Sequence, residues 1–361
     1  MDKKEPLIRV RKKNDCPFWQ KILIKVIFIL LALVISAVFI NLVTKLNPLE
    51  VYSSMFRGAF GTKRRTWITV RDTALLICIA VGLAPAFRMK FWNTGAEGQI
   101  LMGGLSTAAL MIYFGNRIPT PILLVIMFVV AAVCGAAWGF LPAYFKAKFN
   151  TNETLFTLMM NYVAMQIIEF FVDVWDKKQA HSVGVINAET GGGWFPELFG
   201  QQYLLIILIV AIITVVVFVY LRYTKHGYEI AVTGESESTA KYTGINVPNV
   251  IVRTMLVSGA ICGIAGFIEV AGISHSISIK TAGGRGFTAI IVTWLAKLQP
   301  FVIVLYSFLI VFLNKGAIQI ASDFNFNEYA SQVITGIMLF CILASDFFEN
   351  YEIVFRHKEG K

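Results

Sequence analysis

Residues 203–221 read YLLIILIVAIITVVVFVYL, nineteen consecutive positions with no charge, glycine or proline. A helix crossing a hydrocarbon core needs about 20 predominantly apolar residues, so this stretch is a membrane-spanning helix. Other charge-free runs occupy 26–44, 73–87, 98–116, 118–145, 154–168, 254–268, 286–296, 298–314 and 329–345. Of the 361 residues, 57% are apolar and only 15% charged. A soluble domain of this size cannot hide that much apolar surface, and disorder is excluded. The fold class is an all-α integral membrane protein, a polytopic bundle of about nine to ten transmembrane helices. One membrane domain, 22–348, lies between a basic tail, 1–21, and a second tail, 349–361.

The formal net charge of +10 is spread beside the apolar runs rather than gathered in a nucleic-acid-binding domain. Lys3, Lys4, Arg9, Arg11, Lys12, Lys13 and Lys21 precede the first run, which places the amino terminus in the cytoplasm. With ten crossings both ends are cytoplasmic, and Arg88, Lys90, Lys146, Lys148, Arg222, Lys225 and Lys297 fall on the inner side. Lys63, Arg64 and Arg65 fall outside; nine crossings result if 286–296 is re-entrant. The five cysteines, Cys16, Cys78, Cys134, Cys262 and Cys341, lack metal-ligand spacing and read as reduced packing residues.

Two connections are long. The external one is 176–202; the cytoplasmic one, 222–250, reads RYTKHGYEIAVTGESESTAKYTGINVPNV. Helix connections usually need about 2–8 residues. Gly227, Gly234 and Gly244 serve as turn points, and 236–242 can form a short helix suited to passing motion from a cytosolic partner.

Two Gly-led breaks adjoin short apolar pieces. FRMKFWNTGAEGQ places Gly95, Glu97, Gly98 and Gln99 between the runs 73–87 and 98–116, and IKTAGGRGF places Gly283, Gly284 and Gly286 before an 11-residue piece stopped by Lys297. Two short broken or re-entrant helices in corresponding places are what an inverted internal repeat around a central site produces. Their amino termini offer free N–H groups to a polar solute. Glu153, Thr157 and Asn161, at i, i+4 and i+8, share one helical face. They either bind neighbouring helices together or border a solute path. Gly135 with Gly139, and Gly259 with Gly263, fit close helix packing.

No phosphate-binding loop, zinc-protease motif or nucleophile elbow occurs, and His181, His226, His275 and His357 are dispersed. A membrane enzyme is thus disfavoured, with no metal and no catalytic residue expected.

Three motifs carry a resemblance. GYEIAVTGESESTAKYTGIN resembles the coupling segment of permease subunits of ABC importers of the branched-chain amino acid, ribose and simple-sugar family, matching at Gly227, Ile230, Gly234, Ala240, Tyr242, Gly244, Ile245 and Asn246, with Ala231 where that family has Arg. FWNTGAEGQILMGG resembles the nucleoside and simple-sugar branch at Asn93, Gly95, Ala96, Glu97, Gly98, Gln99 and Gly103, departing at Trp92 and Thr94. NETLFTLMMNYVA matches at Asn152, Glu153, Thr157, Met159, Asn161, Tyr162 and Ala164. AGFIEVAG also matches at 265–272, whereas the second break fits only at Gly284, Gly286 and Phe287, with Thr288 replacing an acid.

The resemblance implies a transmembrane subunit of an ATP-binding-cassette importer in the cell membrane, translocating nucleosides or simple sugars by alternating access. Its implied solute pathway comprises Asn93, Gly95, Glu97, Gly98, Gln99, Asn152, Glu153, Thr157, Asn161, Gly284, Gly286 and Phe287. Gly227, Gly234, Glu235, Ala240, Tyr242, Gly244 and Ile245 would meet the ATPase. The chain itself would bind no cofactor, with ATP and Mg held by the partner ATPase. A second homologous permease, giving a heterodimer, and an extracellular solute-binding lipoprotein complete the implied partners, alongside the bilayer. The alternative is a proton-coupled secondary transporter using Glu97 or Glu269.

Overall fold

The computed structural model describes residues 8–13, 17–45, 47–176, 183–324 and 328–355. Residues 1–7, 14–16 (with Cys16), 46, 177–182 of the connection 176–202, 325–327 and 356–361 of the second tail lie outside the described residues.

The chain forms two compact units. The first, Met1–Thr69 with Leu309–Lys361, holds α1 (Phe18–Thr44), α2 (Pro48–Phe60), the end of α12 (Pro300–Asp323) and α13 (Glu328–Asn350). Ile40, Val51, Met55, Leu313, Ile320 and Ile334 are among its buried apolar residues. Ahead of α1, β1 (Ile8–Lys12) pairs antiparallel with β2 (Tyr351–Phe355), which follows α13. No periodicity in the two tails announces this ladder. It brings residues 8–12 and 351–355 side by side.

The second unit, Val70–Phe308, holds most of α3 (Lys63–Arg88), then α4 (Ala96–Phe114), α5 (Thr120–Phe149), α6 (Glu153–Trp175), α7 (Leu204–Tyr223), α8 (Lys225–Glu235), α9 (Glu237–Tyr242), α10 (Val247–Glu269) with a π-turn (Val270–Ser274), and α11 (Arg285–Leu295). Seven described helices are long and apolar enough to cross a membrane: α1, α3, α5, α6, α7, α10 with its π-turn, and α12. Two more, α4 with 19 residues and α13 with 23, have the length.

The segment containing α11 runs back across this unit. On one side Arg88 Nη1 donates to Leu221 O (3.2 Å), and Arg88, Leu221, Leu298 and Pro300 line one pocket, so α3, α7 and α11 end together. On the other side Ile186 N donates to His275 O, just beyond the π-turn, and Trp175 Nε1 donates to Tyr113 OH (3.0 Å). The chain must therefore return between residues 275 and 298, of which only 285–295 is α-helix.

One expectation changes here. The run 73–87 is not a half-length piece, because α3 spans 26 residues and starts at Lys63. Its charges at 63–72 are inside the helix, where Arg71 pairs with Asp72 at 2.7 Å. The run 154–168 likewise belongs to a 23-residue helix that absorbs Glu169 and Asp173. Of the short pieces, 286–296 alone remains short, as the 11-residue α11. The glycine pairs do pack helices: a Cβ on Gly135 would stand 2.3 Å from Gly259 O, so α5 and α10 touch backbone to backbone.

Candidate functional site

The turn between α3 and α4, residues 89–95, carries the first candidate residues. Asn93 is fully buried; its side chain accepts from Gly95 N (3.0 Å) and donates to Gln99 Oε1 and Ser258 Oγ, both at 3.3 Å. Gly95 is the N-cap of α4, and Glu97 occupies that helix's first turn. The Glu97 carboxylate leaves its own helix uncapped and reaches α11, accepting from Gly284 N (2.6 Å) and Gly286 N (2.8 Å). One anion therefore meets the positive ends of two helices, where orphan N–H groups and helix dipoles both favour it. Gly286 permits the approach: a Cβ there would lie 2.7 Å from Glu97 N. Gly284, at φ +73°, begins α11 in the left-handed region that glycine adopts without strain. Phe287, next on α11, is 42% exposed.

The α6 stripe is used on this turn. Asn161 Oδ1 accepts from Gly98 N (2.8 Å) while its Nδ2 donates to Thr94 O (2.9 Å). Thr157 Oγ1 accepts from Thr94 N (3.2 Å) and donates to Glu153 O (2.7 Å). Both residues are buried, and Gly98 is glycine because a Cβ would press on Trp138 Nε1 at 2.9 Å and Asn161 Oδ1 at 3.0 Å. Glu153 departs from the pair and joins Lys146 at 3.0 Å. Asn152 N-caps α6, accepting from Thr154 N and Leu155 N at 3.1 Å. Thr157 and Asn161 thus hold the 94–98 backbone.

Sequence reasoning did not find the partner of Glu269. Its Oε2 receives Arg285 Nη1 at 3.0 Å, tying the C-terminal end of α10 to the start of α11. Both residues were visible as charges inside apolar surroundings, but nothing local joins them. No cluster of three or more metal-ligating side chains occurs among the described residues.

The coupling candidates form an elbow of two helices. Gly227 and Gly234 are not turn points but lie inside α8, and the reason is proximity: a Cβ at 227 would stand 2.3 Å from Leu221 O, and one at 234 would stand 2.1 Å from Arg88 O. Thr224 caps α8 through Gly227 N (3.1 Å). Glu229 accepts from Arg253 Nη2 at 2.7 Å, and that guanidinium holds its carboxyl below the usual carboxylate range. Glu235 ends α8, and Ser236 caps α9 by accepting from Thr239 N. At its far end Ile245 N donates to Ala240 O (2.9 Å) and Gly244 N to Lys241 O (3.1 Å), a Schellman stop with Gly244 at φ +79°. Ala240 is fully buried, Ile245 half-buried, and Tyr242 is 93% exposed at the tip.

The family model described as the permease component of the branched-chain amino acid transport system matches residues 67–343. The chain belongs to that family. This permease is 29% identical to a guanosine ABC transporter permease protein of Bacillus subtilis over 329 residues, 90% of this chain and 93% of the relative. It is 27% identical to a nucleoside ABC transporter permease protein of Lactococcus lactis, covering 89% and 90% of the two chains. A glucose ABC transporter permease protein of Haloferax volcanii is 25% identical, with 96% and 93% covered. No solved structure matches the permease. It is a multi-pass transport permease of the membrane, and its relatives are transport subunits.

Proposed function

We propose that the permease is the non-catalytic membrane subunit of an ATP-binding-cassette importer for nucleosides, with a separate ATPase holding ATP and Mg. The observation that carries this is the α8–α9 elbow. Its inner surface is bound rigidly to the ends of α3 and α7 through Gly234 and Gly227, while Tyr242 points outward with no covering residue. A helix pair locked to spans on one face and bare on the other suits a partner that pushes.

In this reading Gly227, Gly234, Glu235, Ala240, Tyr242, Gly244 and Ile245 build the ATPase contact, and both chain ends are cytoplasmic. The side bearing Arg88, Lys90, Lys146, Arg222 and Lys297 is then the inner one, as an excess of basic residues requires. The junction of Glu97 with Gly284 and Gly286 stands beside the pathway, Phe287 faces it, and Asn93, Gly95, Gly98, Gln99, Asn152, Glu153, Thr157 and Asn161 fix its geometry. A second permease pairs with this one, and a solute-binding lipoprotein meets the external connection 176–202. The nucleoside substrate is supported by the guanosine and nucleoside relatives, whose identities exceed that of the glucose relative.

The test is reconstitution of the full complex in liposomes. ATP-dependent uptake of labelled guanosine that falls at least tenfold in Tyr242→Ala, with the complex still assembled, is the expected result. Uptake by the permease alone, driven by a pH gradient without ATP, would replace this reading with a proton-coupled transporter.

A further inference from the structure

The return crossing 275–298 carries an exposed stripe that does not fit lipid. Ile277 packs on Gly104, where an added Cβ would meet its Cδ1 at 3.3 Å, and Gly104 is the ninth residue of the 19-residue α4. Gly284 N meets Glu97 at the start of the same helix. Residues 277–284 therefore run at the depth of the first half of α4, whose whole length is about 28 Å. Below them α11 adds about 16 Å before the ends of α3 and α7 are reached.

Along this crossing Lys280, Gly283, Phe287, Ile291 and Trp294 are all exposed, at spacings of three and four residues. Gly283, at φ +60°, offers bare non-helical backbone, with the nearest atom to an added Cβ at 3.5 Å. The Lys280 ammonium makes no hydrogen bond or ion pair among the described residues. Non-helical backbone at membrane depth is tolerated only inside protein or beside water, and an unpaired lysine facing hydrocarbon is costly. An apolar face alone would say nothing of what covers it; a bare backbone and a free ammonium in the same stripe do.

We infer that this stripe is the permease's wall of an aqueous solute pathway, with Lys280 and Phe287 its solute contacts. This rests on the importer reading and deepens it. The ammonium can donate to a carbonyl or hydroxyl oxygen, and the exposed ring of Phe287 suits a planar base, which together fit a nucleoside. Stacking on an aromatic ring tolerates any base. At the inner end Trp294 stacks on Trp92, ring centroids 4.9 Å apart and planes 16° apart, with Phe87 against both. That pair narrows the exit beside Arg88, the backbone on which Gly234 of α8 rests. Trp92 is also one of the two positions where the second motif departs from its family pattern, so the constriction is a property of this chain.

The experiment uses the assembled complex in liposomes with single cysteines at 287, 291 and 294, made as Phe287→Cys, Ile291→Cys and Trp294→Cys. Val125→Cys and Val215→Cys serve as exposed apolar controls. The parent carries Cys16→Ser and Cys134→Ser, and its remaining cysteines, the buried Cys78, Cys262 and Cys341, set the background. A charged, water-soluble thiosulfonate should label the three test sites at least tenfold faster than the controls, and guanosine should slow the reaction at 287. Phe287→Leu should raise the KM for guanosine about tenfold with little change in kcat, and Lys280→Met should do likewise. Test sites labelled no faster than the controls would overturn the inference. Labelling in a complex that takes up no guanosine upholds the aqueous wall and falls on the importer reading alone.

Discussion

Gly286→Ala asks whether two helix amino termini must touch for the permease to be stable. The added Cβ would stand 2.6 Å from Glu97 Oε2, 2.7 Å from Glu97 N and 3.1 Å from Glu97 Cα. Two of those neighbours are backbone, so no side-chain rotation relieves the clash. Ordinary contact begins at about 3.4 Å, and α11 must withdraw from α4 by about 0.7 Å. The Gly286 N to Glu97 Oε2 bond, now 2.8 Å, then lengthens to about 3.5 Å, outside the normal range. A hydrogen bond to a charged group contributes about 1.5–3 kcal/mol, and overpacking costs about 1–3 kcal/mol. Withdrawal exchanges one cost for the other, so the expected loss is about 2–3 kcal/mol. Gly284→Ala is the internal control: it has φ +73° and no atom within 4 Å of an added Cβ, leaving only left-handed strain of about 1 kcal/mol. Thermal unfolding of the purified permease, with ATP-driven uptake in parallel, reads the difference. Gly286→Ala should melt below Gly284→Ala and should lose uptake. An Ala at 286 that melts with or above the 284 variant, and still transports, would refute the tight junction.

Ala240→Arg and Gly244→Asp should both uncouple uptake from ATP hydrolysis, the first by forcing a charge into a fully buried position and the second by loading the φ +79° stop of α9; normal uptake by either variant defeats that role. Asn161→Leu leaves Gly98 N and Thr94 O without their partner, each worth about 1–3 kcal/mol when buried, so a lower melting temperature and poorer assembly are expected. Full stability with lost uptake would instead place Asn161 on the solute's route. The Glu229 carboxyl is held below its usual range, so its link to Arg253 stabilises fully above the unfolded value of about 4.3 and is lost as pH falls through the folded one. The stability gap between the wild-type permease and Glu229→Gln should therefore close as pH drops below about 4; a gap independent of pH would contradict the ion pair.

Membrane spans were legible because the solvent itself selects them: residues 203–221 needed no neighbour to be read. What misled was treating charge and glycine as boundaries. Arg71 and Asp72 neutralise one another within α3, so a charge-free window truncates the helix. Gly227 and Gly234 looked like punctuation, yet each is glycine because a carbonyl of another helix occupies the space of its Cβ. Composition cannot separate those two causes; only the packing partner does. The Glu97 junction was half-visible. Each break is Gly-led in the sequence, but the bond joining them spans 187 positions, and no local periodicity encodes a contact at that range.

Within the second unit the contacts form a closed path, and its stiffness bears on how a push at α8 would travel. Gly234 sits on Arg88 O, the turn 89–95 leads from Arg88 to Glu97, Glu97 holds the start of α11, and Trp294 at the end of α11 returns to Trp92 in that turn. At Gly234 and Gly286 the contact is with backbone, where no rotamer change can absorb displacement. At the tryptophans it is a stack of two rings that can slide or part. Packed interiors resist continuous deformation and move between discrete arrangements. A displacement entering at α8 therefore finds its least resisted outlet at the Trp92–Trp294 stack, where both partners are side chains free to separate. That ordering of stiff and yielding contacts requires Trp294→Ala to leave the unit folded while freeing the exit, whereas Gly234→Leu, which wedges the stiff link, should disturb α8 itself. The reverse ranking in unfolding experiments would mean that the path is not mechanically connected.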